Sequence, residues 1–306
     1  MARPEKDLSL PDYAGSLLRS VFGAALRKIV CVTGEKHCSV CSLYRRCAYP
    51  AIFETPPRPT TLKQQFSQVP NPYVIEPPTL DTPVAKAGQH LQFHMVLVGD
   101  WAIGQLPLLV EAWQHAFRQG LGRQRIRLHL ERVQWCKPDQ TVQDVWTAES
   151  GRVAAHRPKL NVPEPPEDGS SLRLMAITPL RLQHQGKPLR PEELSVRTLL
   201  LTALRRASLM SELHMDRKIQ VDVKGLLELV PQMRDQRDAL TWRDWTRYSS
   251  RQGREMILGG VVGPWILTAP SWSKAWSWLW LGQWLHLGKN VTMGLGQYHL
   301  EVCSCG

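Results

Sequence analysis

The chain has 306 residues, 43% of them hydrophobic and 21% charged, with 12 Trp among them. That much apolar surface excludes global disorder and suits two domains of ordinary size. With 38 Lys and Arg against 27 Asp and Glu, the formal net charge is +11. A polyanionic partner is expected, nucleic acid ahead of a membrane surface, with a merely basic protein as the plainer alternative. The most apolar stretch, residues 276–287, is about twelve residues long, whereas a membrane span needs roughly 20. No N-terminal segment has the charged-then-apolar form of a secretory signal, so the expectation is a soluble, cytoplasmic protein without a membrane partner.

Residues 12–30 are expected to form the first helix. Leu17, Leu18, Val21, Phe22, Ala25 and Ile29 make one apolar stripe at helical spacing, and Arg19, Gly23 and Arg27 fall four apart on the opposite face. Two guanidiniums flanking a glycine would let a phosphate or a backbone come close; a solvated face is the plainer reading. Four cysteines follow, Cys31, Cys38, Cys41 and Cys47, in the spacing C-x6-C-x2-C-x5-C. Soft thiolates this close together can hold a [4Fe-4S] cluster or Zn, and metal-free thiols are the third reading. Residues 55–83 carry eight prolines and read as a long loop.

Next come an alternating strand over residues 91–97, a helix over 106–117, the triplet Gly120-Leu121-Gly122, and a strand over 125–130. Residues 158–169 are short, acidic and prolyl, as an interdomain linker is. Beyond them a strand is expected over 172–182, a helix over 191–213, and strands over 241–249 and 256–262. A helix over 272–287, the triplet Gly294-Leu295-Gly296 and a strand over 297–302 close the chain. Strand, helix, Gly-Leu-Gly and strand thus occur twice, roughly 170 residues apart, as a duplicated unit would give. The second half reads β-α-β-β-α-β, the ferredoxin-like unit. In the first half the opening strand is missing, very short, or lost to a late start codon.

The fold class expected is therefore α+β. Two tandem ferredoxin-like (RRM-like) domains occupy residues 1–160 and 170–306, with the Cys-rich loop, residues 31–47, as a metal-binding insertion in the first. Trp272, Trp276, Trp280 and Trp284 fall at successive i+4 positions and are expected in the core rather than as a base-stacking surface. Cys136 is also expected in the core. Cys303 and Cys305 form a weaker pair, expected to be incidental. The glycine-rich segment from Gly288 to Gly296 can be read as a helix cap and bulge, or as a loop whose backbone N–H groups meet phosphates.

The cysteine spacing resembles the [4Fe-4S] loop of helix–hairpin–helix DNA glycosylases, which implies that Lys36, Arg45 and Arg46 approach a nucleic-acid backbone. More broadly, the chain resembles the CRISPR repeat-cleaving endoribonucleases of the RAMP superfamily. The segments that carry this are LPDYAGSLLRSVFGAALRKIVCV, PYVIEPP with the strand after it, GLGRQRIRLHLERV and LGQWLHLGKNVTMGLGQYHLE. The resemblance implies maturation of precursor CRISPR RNA by metal-independent attack of a 2′-OH on the adjacent phosphate, leaving 2′,3′-cyclic phosphate and 5′-OH ends. It also implies CRISPR repeat RNA and other CRISPR effector subunits as partners. RNA contacts would fall on Arg19 and Arg27 and on Gly288, Lys289, Asn290, Gly294 and Gly296.

The family usually keeps its general base in or just after the first helix. Of the ten His, that position points to His37. An imidazole of ordinary pKa, about 6.5, suits proton transfer at neutral pH. His286 beside the glycine loop, or an arginine-assisted site without a His, would be the alternatives. A non-catalytic RNA-binding scaffold subunit is the competing function, and a DNA-binding iron–sulfur protein a third.

Overall fold

Two units, Met1–Asn161 and Val162–Gly306, divide the chain. The computed structural model describes residues 1–58, 69–78, 84–156, 158–249 and 254–303. Both units are mixed α/β, and every strand pairing in their sheets is antiparallel. Among the described residues, no helix is long and apolar enough to cross a membrane.

The opening strand of the first unit is present and very short. β1 (Ala2–Pro4) buries Ala2 and Pro4 and turns Arg3 outward. Three residues are too few for a periodic signal, so tertiary pairing decides the matter. α1 (Gly15–Val30) follows, then the short α2 (Ala48–Phe53) and β2 (Tyr73–Glu76). β3 (His94–Leu97), α3 (Leu106–Gln119) and β4 (Leu128–Leu130) complete the frame. β1 pairs with β4, Ala2 opposite Leu130, and β2 with β3, Tyr73 opposite Leu97. Ala2 and Leu91 exchange both backbone hydrogen bonds (2.9 and 2.7 Å), which joins β1 to the segment leading into β3.

β2 corrects the expected loop over residues 55–83: between its prolines the segment Tyr-Val-Ile-Glu has β-formers, and Tyr73, Val74 and Ile75 are fully buried. Residues 59–68 and 79–83 of that loop lie outside the described residues. A hairpin that carried no recognised turn signal, β5 (Arg132–Cys136) with β6 (Val142–Thr147), follows the frame. It leaves Cys136 exposed, not in the core as expected, because the strand turns that side chain outward at the hairpin end. The core forms where the α1 stripe meets α3: Phe22 stacks on Trp113 at 5.0 Å, and Phe93 lies 4.6 Å from the same indole.

In the second unit, β7 (Ser171–Leu180) buries Leu172, Leu174 and Ala176 in strict alternation, the period a sheet with one covered face requires. α4 (Val196–His214) starts at Ser195, whose hydroxyl accepts the Thr198 N–H. α5 (Val223–Leu229) and β8 (Arg234–Gln236) precede β9 (Thr241–Ser249) and the long β10 (Arg254–Thr268). α6 (Trp276–Leu285) and β11 (Tyr298–Cys303) end the unit. The sheet runs β8-β10-β7-β11, and β9 also pairs with β10. Trp272, four residues before α6, is wholly buried, and Trp276 and Trp280 of α6 are each 8% exposed. Cys303 is partly buried at the sheet edge, and Cys305 lies outside the described residues.

Candidate nucleic-acid interface

The polar face of α1 is not open water. α2 lies across it, and Gly23 is there because a side chain would collide with the ring of Phe53. The gap that Gly23 leaves therefore takes a phenyl ring, not a phosphate, which corrects that part of the sequence reading. The guanidinium of Arg19 sits 4.2 Å above the Phe53 ring, with its Nε buried and unpaired, and stands beside Tyr73. A cation over an aromatic face is worth about 0.5–1 kcal/mol where exposed and more where dry. Arg27 reaches back over residues 31–36 and donates to the carbonyls of Glu35 and Lys36, the latter at 3.0 Å. It thereby fixes the backbone immediately before His37.

His37 is exposed at the start of a short 3-10 turn, Cys38–Val40, and its backbone carbonyl accepts the Val40 N–H (3.3 Å). Lys36, Arg45 and Arg46 are exposed on the same loop, Arg45 donating to the Pro57 carbonyl at 3.2 Å. The loop thus gathers one imidazole and three cations in solvent within a short peptide. Cys31, Cys38, Cys41 and Cys47 all line a small cavity beneath it. As they stand, no three His, Cys, Asp or Glu side chains among the described residues are placed to hold a metal ion.

In the second unit the glycine-rich segment packs against the end of β7. Gly288 (φ 93°) and Gly296 (φ 75°) have backbones that L side chains rarely adopt, and a Cβ would strike the Arg181 carbonyl at one and the Leu287 carbonyl at the other. Lys289 N–H donates to the Arg181 carbonyl (3.1 Å), Gly294 N–H to Val291 (2.8 Å) and Gly296 N–H to Pro179 (3.1 Å). Thr178 Oγ1 donates to the Gly294 carbonyl (2.7 Å) and accepts the Gln297 N–H (2.9 Å).

The expected phosphate nest is therefore largely a backbone-on-backbone clasp, since those N–H groups already have protein acceptors. Gly294 and Gly296 are buried, and Lys289 is the exposed member of the segment, with Gly288 and Asn290 half-buried beside it. His286 is fully buried, and its Nδ1 donates to the Leu295 carbonyl (3.1 Å), so it fastens the loop and cannot meet a ligand from solvent.

Three arginines of the second unit escaped the sequence reading. Arg181 donates to the Gly259 carbonyl, and burial lowers its pKa. Arg206 donates to the Leu285 carbonyl at 3.2 Å, its Nη2 is buried without a partner, and burial pushes its pKa down to about 10. Arg190 lies 3.8 Å over the Trp242 ring on the surface. Each follows ordinary chain with no motif around it, so only the fold brings them to notice.

Residues 174–298 match the family model described as CRISPR-associated endoribonuclease Cas6, and residues 1–158 match one described as an N-terminal domain. No curated protein matches the chain in sequence. Among solved structures, a Cas6 product complex is 14% identical with a TM-score of 0.56, covering 98% of each chain. A Cas6-RT-Cas1–Cas2 complex in partial form is 13% identical with a TM-score of 0.54, covering 99% of this chain and 45% of that one. At these identities the likeness is one of fold. The family match itself assigns the second unit, residues 174–298, to the CRISPR-associated endoribonuclease Cas6 family.

Proposed function

We propose that this protein binds the hairpin of CRISPR repeat RNA and cuts it on its 3′ side, and that it stays with the product in a complex with other CRISPR effector subunits. The observation that carries this reading is the family match over residues 174–298. The net charge of +11 supports it, because most of the affinity for RNA comes from cations placed on phosphates. The fold is read as two tandem ferredoxin-like domains, residues 1–160 and 170–306. In support, the strand orders β4-β1-β3-β2 and β11-β7-β10-β9 share one connectivity, with the β1 to β3 link made through Leu91.

The reaction needs no metal at the phosphate. His37 takes the proton of the attacking 2′-OH, the new P–O bond closes the cyclic phosphate as the P–O5′ bond breaks, and the departing 5′ oxygen takes a proton from water. Lys36, Arg45 and Arg46 lie near in sequence and in solvent, where they meet phosphate charge. Arg27 acts from behind by holding the carbonyls of Glu35 and Lys36, and Arg19 adds charge at the rim of α1. In the second unit Lys289 and Asn290 face the RNA, while Gly288, Gly294 and Gly296 shape the turn that presents them. Replacing His37 by Ala should lower single-turnover cleavage of a repeat hairpin by about 10²–10⁴-fold and leave hairpin affinity in place. Unchanged cleavage removes His37 from the mechanism, and a parent that binds the hairpin without cutting it is a scaffold subunit instead.

A further inference from the structure

Beyond the hydrogen bonds of Arg27 and Arg45, the segment of residues 31–47 has little to hold it. It contains no strand and one short 3-10 turn, and its aliphatic side chains face water, Val32 at 82% and Val40 at 74% exposure. A loop of this length without a core of its own is ordered by cross-links or bound ligands rather than by burial. The cross-linking groups present are the four thiols around one cavity of about 30 Å³.

Cys31 lies two residues before Thr33, whose Oγ1 is 3.4 Å from the Cys41 sulfur. Gly34 has φ +70°, a left-handed turn directly after Thr33. Cys38 and Cys47 are both packed against the apolar core of the first unit. Around them the backbone is already folded into tight turns, Cys41 N–H to the Cys38 carbonyl (3.0 Å) and Cys47 N–H to the Leu43 carbonyl (2.8 Å).

We propose that Cys31, Cys38, Cys41 and Cys47 close on one structural metal centre held by four thiolates, which pins the loop bearing Lys36, His37, Arg45 and Arg46 to the end of α1. The sulfurs stand around the cavity without converging, so binding draws them together and displaces one proton per thiol to solvent. Four sulfur donors select soft cations: Zn²⁺ as a single tetrahedral ion, or iron in a [4Fe-4S] cluster. A cavity with room for only a water-sized guest suits the single ion, and a cluster requires the loop to open. The centre is structural and stands whether or not the protein cuts RNA.

The test is elemental analysis of full-length protein purified anaerobically, together with the variants Cys38→Ser and Cys41→Ser and the control Cys136→Ser. The expected result is about one equivalent of zinc, or iron with acid-labile sulfide and a visible band near 400 nm, in the parent and the control. The two ligand variants should lose at least nine-tenths of it. Thiol titration of the native parent covers the case of insoluble variants: stripping the metal with a chelator should expose four further reactive thiols. Metal-free parent protein, ligand variants that keep the metal, or a thiol count unmoved by chelation would each overturn the proposal.

Discussion

At the level of single residues, glycines and histidines divide by what surrounds them. The sequence marks Gly288 and Gly296 as members of a glycine-rich segment, but not what lies against them; that is the backbone of Arg181 and Leu287, which only the fold brings near. In the same way Gly23 looks like a gap for a phosphate and is filled by Phe53. His37 and His286 are equally plain in the sequence, yet one is in solvent and the other is fully buried against the loop it fastens. Gly296→Ala is expected to destabilise the second unit by about 1–3 kcal/mol, through a left-handed backbone and a contact with the Leu287 carbonyl that cannot give way. Thermal unfolding of the full chain checks this, and a variant as stable as the parent would mean that the clasp is loose.

For the secondary-structure elements, length decides legibility. α1, α3 and α4 span more than three turns each, so their apolar stripes repeat often enough to be read, and β7 alternates over most of its length. β1 and β2 have three and four residues and lie beside prolines. Their formation depends on pairing with β4 and β3, which are distant in sequence. α2 has six residues and no periodicity, yet it covers the polar side of α1: Phe53 stacks with Tyr49 at 5.5 Å and Tyr73 at 6.0 Å, and Arg19 lies over it. Phe53→Ala should cost about 2 kcal/mol, since the ring is partly rather than wholly buried. The same change should free Arg19. Urea unfolding of the full chain measures the first effect, and a loss under about 0.5 kcal/mol would show that α2 is not a clasp.

For the whole molecule, the charge, the repeated strand–helix–glycine pattern and the family match point the same way, and they come from different parts of the sequence. The repeated pattern can be read because a helix and a Gly-Leu-Gly triplet anchor each occurrence; the three-residue β1 has no such anchor and depends on the fold. The proposed cleavage rests on a few exposed groups around His37, a far smaller part of the molecule than the part that builds the two cores. The most direct measurement is therefore of the product. The full-length protein is mixed with the repeat RNA of its own array, without added divalent ions and with a chelator, while its bound metal is followed in parallel. A single cut at the 3′ side of the hairpin, with 2′,3′-cyclic phosphate and 5′-OH ends and a rate unchanged by Mg²⁺, is the predicted result. A hairpin bound but left whole, or cut only when Mg²⁺ is added and ending in a 3′-OH, would contradict it.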